Sequence, residues 1–127
     1  MIQPYLVILP SGERGKGVYT TSFISKGTVL EISPVLVMGE ADRMHLDQTL
    51  LHDYIFEWQE SSKTCCMALG YIPMYNHSAP ANCDYDMDFE HQTMSITAVR
   101  DIQQGEELFI NYNGAWDEKS DVWFDTV

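Results

Sequence analysis

The sequence predicts a mainly β domain, a single unit spanning residues 1–127. Three observations predict it. The apolar runs are short and rich in Val, Ile, Leu, Thr and Tyr. Gly, Ser, Pro or Lys interrupts them roughly every 8 to 12 residues. The hydrophobic share of 45% and aromatic share of 12% suit a packed core rather than a disordered chain.

The elements follow in order. YLVIL at 5–9 reads as a first strand, because the opening lacks a basic segment and meets a polar residue too soon for a signal peptide. GVYTT at 17–21, TVLEI at 28–32 and PVLVM at 34–38 read as further strands, with Lys26-Gly27 as a turn. Residues 39–53 break the rhythm with acids and good helix formers, and predict a short helix or a long loop. DYIFEW alternates Tyr54, Phe56 and Trp58 on one strand face, and QESSKT at 59–64 reads as a loop. ALGYIPM heads into the core and delivers the polar cluster YNHSAPANC. DYDMDFE, MSITAVR and ELFINY predict three more strands, with QQGE at 103–106 turning into the last. The tail at 113–127 is acidic, and Trp116, Trp123 and Phe124 predict that it docks onto something. Neither an internal repeat nor a linker is present.

Nineteen acids against seven Lys plus Arg give a net charge of −12. That balance opposes direct nucleic-acid binding and suits a basic protein or peptide partner. No apolar run approaches a membrane span. Three cysteines, with Cys65 and Cys66 adjacent, form neither a disulfide framework nor a CxxC zinc pair. They predict buried thiols in a reducing, intracellular compartment, cytoplasmic or nuclear.

Several motifs fail on spacing. From Gly12, a phosphate-binding loop would need Gly-Lys-Ser/Thr where Gly17 is followed by Val18. Asp84, Asp86 and Asp88 are not a calcium loop, since Phe89 and Ser95 occupy the required Gly and Glu positions. With a period of two they line one strand face, either simply solvated or a rail for a basic peptide, while Tyr85, Met87 and Phe89 line the other. His45, His52 and His91 read as ordinary surface or core histidines. His77 with Cys65 or Cys83 has no metal-site spacing, so no metal is predicted. Gly15-Lys16-Gly17 entering a strand is either a hairpin turn or a place where backbone comes close to a ligand.

Taken together, four segments resemble the SET domain of protein-lysine methyltransferases. RGKGVYTTSFISKGTVL is similar to its GxG strand, DYIFEW to its aromatic segment, YNHSAPANC to its NHS…N motif, and AVRDIQQGEELFINY to its GEEL…Y strand. The resemblance covers about residues 4 to 114, with 39–53 as the family's variable insert. It implies several small sheets, a short helical insert and a C-terminal pseudoknot. It further implies methyl transfer from S-adenosyl-L-methionine to the lysine amine of a basic protein such as a histone tail. By the same resemblance Arg14, Gly15, Lys16 and Gly17 line the cofactor through backbone, with Tyr54, Asn76 and His77 completing the pocket. Trp123 or Phe124 would stack on adenine, Tyr112 would be the active-site tyrosine, and Asn82 would serve the loop's own hydrogen bonds.

Departures shape the rest of the expectation. Ala79 and Ala81 stand where Cys and Pro are frequent in the family, and the flanking cysteine-rich modules are absent. The lysine channel would then be closed by Trp116, Trp123 and Phe124 or by a second copy in a homodimer. Ile110 replaces a frequent Tyr or Phe, so Tyr85 would supply the second channel hydroxyl, which points to mono- or dimethylation. A silent module that binds cofactor or a basic peptide is the alternative; Tyr112 beside an intact NHS argues against it.

Overall fold

The structure, a computed structural model, describes residues 1–59, 61–112 and 114–117. Among the described residues, nine strands form two sheets. β1 (Leu6–Pro10), β2 (Lys16–Thr20), β9 (Glu107–Ile110) and β6 (Asn76–His77) form the smaller, in the order β1-β2-β9-β6. β4 (Phe56–Trp58), β5 (Ser61–Ala68), β3 (Val29–Met38), β8 (Thr93–Ala98) and β7 (Cys83–Asp88) form the larger, in the order β4-β5-β3-β8-β7. The mainly β expectation holds. The insert folds as helix α1 (Glu40–Leu46) followed by a 3-10 turn at Leu50–Asp53.

Three local expectations need correction. The two strands expected at 28–32 and 34–38 are one, because β3 runs straight through Pro34. Up to Pro34 it pairs with β8 and from Val35 with β5, so the missing proline N–H falls where the strand changes partner. Of the loop expected at 59–64, residues 61–64 are strand. Gln59 has a φ of 56°, and β5 begins at Ser61, paired with Trp58, as an interior strand that buries Cys65 and Cys66. The aromatic alternation at 54–58 starts only at Phe56, because Tyr54 caps the preceding 3-10 turn.

One core joins the sheets. Leu30, Met94 and Ile96 of the larger sheet, Val18, Leu108 and Ile110 of the smaller, and Ile72 and Tyr75 between them are almost fully removed from water. The larger sheet curls strongly. Laid flat, its edge strands would stand four spacings apart, roughly 19 Å. Instead Trp58 of β4 meets Phe89, just past β7, with ring centroids 4.9 Å apart. An open cleft forms along this seam.

β6 runs parallel to β9, with Asn76 opposite Phe109 and His77 opposite Ile110. The segment after β9 is bonded to the other end of the same loop. The Ala81 N–H donates to the Trp116 carbonyl at 2.9 Å, and the Trp116 N–H to Asp84 Oδ1 at 2.7 Å. This interleaving of 76–84 with 107–116 is the arrangement the expected pseudoknot requires.

Candidate active site

Tyr112 leaves β9 at the junction of the two sheets. Its backbone N–H donates to His77 Nδ1 at 3.0 Å, and its hydroxyl donates to the Tyr75 carbonyl at 2.7 Å. One side of its ring stands 5.2 Å from His77, and Phe56 meets it edge-on at 6.4 Å. Burial, followed by the neighbouring Tyr54, pushes its phenol up to about 12, so the hydroxyl stays protonated and acts as a donor. Burial and then the Arg14 charge hold His77 below the usual imidazole value. The ring is therefore neutral, with Nδ1 unprotonated and able to accept from Tyr112.

On the His77 side lie the turn and strand of the GKG motif. Asn76 Nδ2 donates to the Lys16 carbonyl at 3.0 Å and to Glu107 Oε2 at 2.8 Å. Glu107 also accepts from Ser11 Oγ at 2.6 Å and from the Tyr19 hydroxyl at 3.0 Å. A side chain at Gly17 would overlap Glu107 Oε2, which explains the glycine: close approach there is made by the protein's own carboxylate. Gly15, at φ 82°, has open space where a Cβ would stand. Arg14 lies over the Phe109 ring at 5.1 Å. The Arg14 and Gly15 N–H groups and the Gly15 and Lys16 carbonyls are already bonded, so what this side offers a ligand is the open space over Gly15, a carboxamide whose oxygen can accept, and a neutral imidazole.

On the Phe56 side the cleft opens, with a volume of about 680 Å³. Tyr54, Phe56, Tyr85, Met87 and Tyr112 supply its aromatic and apolar lining. Asp47, Asp53, Glu57, Asp84 and Asp86 supply carboxylates around it, with Arg43 and His52 as the basic residues. Among the described residues no group of three or more acids, histidines and cysteines could hold a metal.

The expected site residues therefore fall in three sets. Arg14, Gly15, Lys16, Gly17, Asn76, His77 and Tyr112 come together around the loop and β9. Tyr85 and Tyr54 line the cleft with Tyr112. Ile110 is fully buried in the core and Trp116 is 39% exposed, so neither lines the cleft. Their neighbours explain this: Ile110 points inward from β9, and Trp116 is held outward through its backbone at Asp84. Trp123 and Phe124 lie outside the described residues. Asn82 does more than serve its own loop. Its Nδ2 donates to the Glu107 carbonyl at 2.9 Å, and its Oδ1 accepts from the Phe109 N–H at 2.7 Å, so it grips β9. Of the three alternating acids, Asp84 and Asp86 line the cleft while Asp88 holds the His91 turn. Sequence reading missed Glu107 and Phe56, although both stood inside matched segments.

The SET domain family profile matches residues 15–113. The chain belongs to the SET domain family. Its enzyme class is protein-lysine methyltransferase, with S-adenosyl-L-methionine as the methyl donor. A Schizosaccharomyces pombe relative named histone-lysine N-methyltransferase, H3 lysine-37 specific, is 29% identical over 126 residues, which is 98% of this SET chain and 80% of the relative. Among solved structures, a Plasmodium falciparum protein described as a candidate histone methyltransferase superposes with a TM-score of 0.64 at 25% identity, covering 87% of this chain and 99% of that one. The ctPRC2 structure, in an autoinhibited conformation bound to S-adenosylmethionine, matches the fold with a TM-score of 0.71 at 20% identity. That match covers 84% of this SET chain but only 15% of the other.

Proposed function

We propose that the cleft takes a lysine side chain from a basic protein tail, with a histone tail as the first candidate, and delivers its amine to the methyl donor beside Tyr112. One observation carries the reading: Tyr112 is bonded to His77 on one side and lines an aromatic, carboxylate-rimmed cleft on the other. The fission-yeast relative, named a histone-lysine N-methyltransferase, supports it.

When bound, S-adenosyl-L-methionine supplies an electrophilic methyl group on a cationic sulfur. The residues that would hold it are the backbone of Arg14 to Gly17, with Asn76 and His77. The Asn76 oxygen, with its amide nitrogen already bonded, would accept from the donor's ammonium group. Around the amine, the protein has two tasks. A lysine of ordinary pKa ~10.4 costs about 4.6 kcal/mol to neutralise at pH 7. The apolar walls made by Phe56, Tyr85 and Met87 lower that cost by desolvation. The second task is aim. Tyr112 cannot serve as a base while its phenol sits near 12, but a fixed hydroxyl beside Tyr75 can orient the reacting groups. The carboxylates at Asp47, Asp53, Glu57, Asp84 and Asp86 draw in the flanking basic residues. β4 and β7, the edge strands of the curled sheet, offer backbone to an extended tail. A histone substrate would place the enzyme in the nucleus or cytoplasm.

Mass spectrometry of mixed histones incubated with the protein and S-adenosyl-L-methionine tests the reading, with Tyr112→Phe in parallel. Lysine methylation by wild type that drops at least about a hundredfold in the variant is expected. Equal methylation by both would remove Tyr112 from its role. Methylation of other basic proteins but no histone would replace the substrate.

A further inference from the structure

Glu106 and Glu107 are adjacent in sequence and differ in company. Glu106 pairs with Arg100 at 3.1 Å. Glu107 takes its bonds from neutral groups instead, Ser11 Oγ and the Tyr19 hydroxyl on Oε1 and Asn76 Nδ2 on Oε2. All three partners donate, which suits an ionised carboxylate. Among the described residues no basic side chain forms an ion pair with Glu107. Arg14, on the same side of the molecule, lies over the Phe109 ring. The three bonds hold the carboxylate in place and leave its charge uncompensated.

The position of that charge gives it a use. Glu107 Oε2 fills the place where a Cβ of residue 17 would stand, so it lies against the GKG strand. The Asn76 amide that it holds also reaches the Lys16 carbonyl. Glu107 does not line the substrate cleft. Behind burial and the neighbouring Tyr54, its charge adds to the rise of the Tyr112 phenol, so its field extends to the point of methyl transfer.

Methyl donor and product differ in charge at one atom. On transfer the sulfur–methyl bond breaks and its electron pair stays on sulfur, while the lone pair of the amine forms the nitrogen–methyl bond. The positive charge passes from sulfur to nitrogen, and S-adenosyl-L-homocysteine is left as an uncharged thioether. A fixed negative charge beside the pocket attracts the sulfonium and gains nothing from the thioether.

We propose that Glu107 is a specificity-determining residue whose charge selects the cationic methyl donor over its own neutral product. The selection rests on the placement of the donor around Arg14 to Gly17, Asn76 and His77 given above.

Calorimetric titration with S-adenosyl-L-methionine and with S-adenosyl-L-homocysteine tests it, on wild type, Glu107→Gln, Glu107→Asp, Tyr19→Phe and Gly17→Ala. In Glu107→Gln the Kd of the donor is expected to rise about tenfold and that of the product no more than about twofold. Glu107→Asp and Tyr19→Phe keep the charge and should keep the wild-type ratio of the two constants, whatever they cost in absolute affinity. They carry the test if Glu107→Gln does not fold, since a ratio shifted toward the product in both would overturn the proposal. Equal weakening of donor and product in Glu107→Gln would show a structural bond rather than a charge, and would overturn it too. Gly17→Ala separates the two levels of the argument. If it weakens both ligands while Glu107→Gln leaves their ratio unchanged, the charge role alone fails. If it weakens neither, the placement of the donor fails with it.

Discussion

Phe56 and Tyr85 stand on the two opposite edge strands of one five-stranded sheet, and their ring centroids are 5.6 Å apart. The contact narrows the cleft next to Tyr112. Tyr85 also brings a hydroxyl to a wall that is otherwise apolar at this point. A lysine that has gained methyl groups is bulkier and donates fewer hydrogen bonds, so a polar wall disfavours the later products.

Tyr85→Phe is therefore expected to shift products toward higher methylation, with the ring contact to Phe56 retained. Intact-mass analysis of the methylated peptide over a time course checks this. An unchanged mono-, di- and trimethyl distribution would refute it.

Asn82→Ala removes two bonds to β9 and leaves the Phe109 N–H and Glu107 carbonyl without their partner. The expected loss is about 3 kcal/mol of unfolding free energy, read as a lower denaturation midpoint. Asn82→Asp should also destabilise, because it keeps the acceptor for Phe109 but sets an oxygen against the Glu107 carbonyl.

Gly17→Ala and Glu107→Gln disturb the same group of side chains from opposite sides. The first pushes Glu107 and Asn76 away; the second places an amide among three donors. Both should weaken S-adenosyl-L-methionine binding by about tenfold, the scale of one lost hydrogen bond to a charged group. Calorimetric titration gives the number. Unchanged affinity in both would show that this cluster does not shape the donor pocket.

His77 sets a pH dependence whose sign follows from its lowered pKa. The folded protein favours neutral imidazole, since protonated Nδ1 cannot accept from Tyr112. The unfolded chain takes up its proton near 6.5, before the folded one does. The contribution is complete above pH 6.5 and is lost as pH falls through the folded value. Stability profiles of wild type and His77→Asn should converge on the acid side. Parallel profiles from pH 8 to pH 5 would exclude His77 as the titrating group.

Most strands were legible because runs such as YLVIL and MSITAV keep one face apolar over enough residues to set a register. β5 was not, since its first half, Ser61 to Thr64, is polar, and only its second half, from Cys65 to Ala68, pairs with β3. Pro34 suggested a break that a change of partner makes unnecessary. In the site, the motif residues with chemically distinctive side chains, Asn76, His77 and Tyr112, were readable. Glu107 was not. A carboxylate in an acidic chain is unremarkable until folding brings Ser11 to it across 96 positions. Asn82 was assigned to its own loop because its partners lie 25 and 27 residues away.

The parallel pairing of β6 with β9 has a consequence for synthesis on the ribosome. Residues 76–77 emerge well before 109–110, and the hydroxyl that Tyr75 receives comes from a residue 37 positions later. Long-range pairings of this kind form late and slowly. A nascent chain that has not yet released its final strand lacks Tyr112 and the β9 partner of β6, and so the junction on which the candidate site depends. Translation is thus its own safety catch, since an incomplete chain cannot modify a neighbouring protein before its fold is closed.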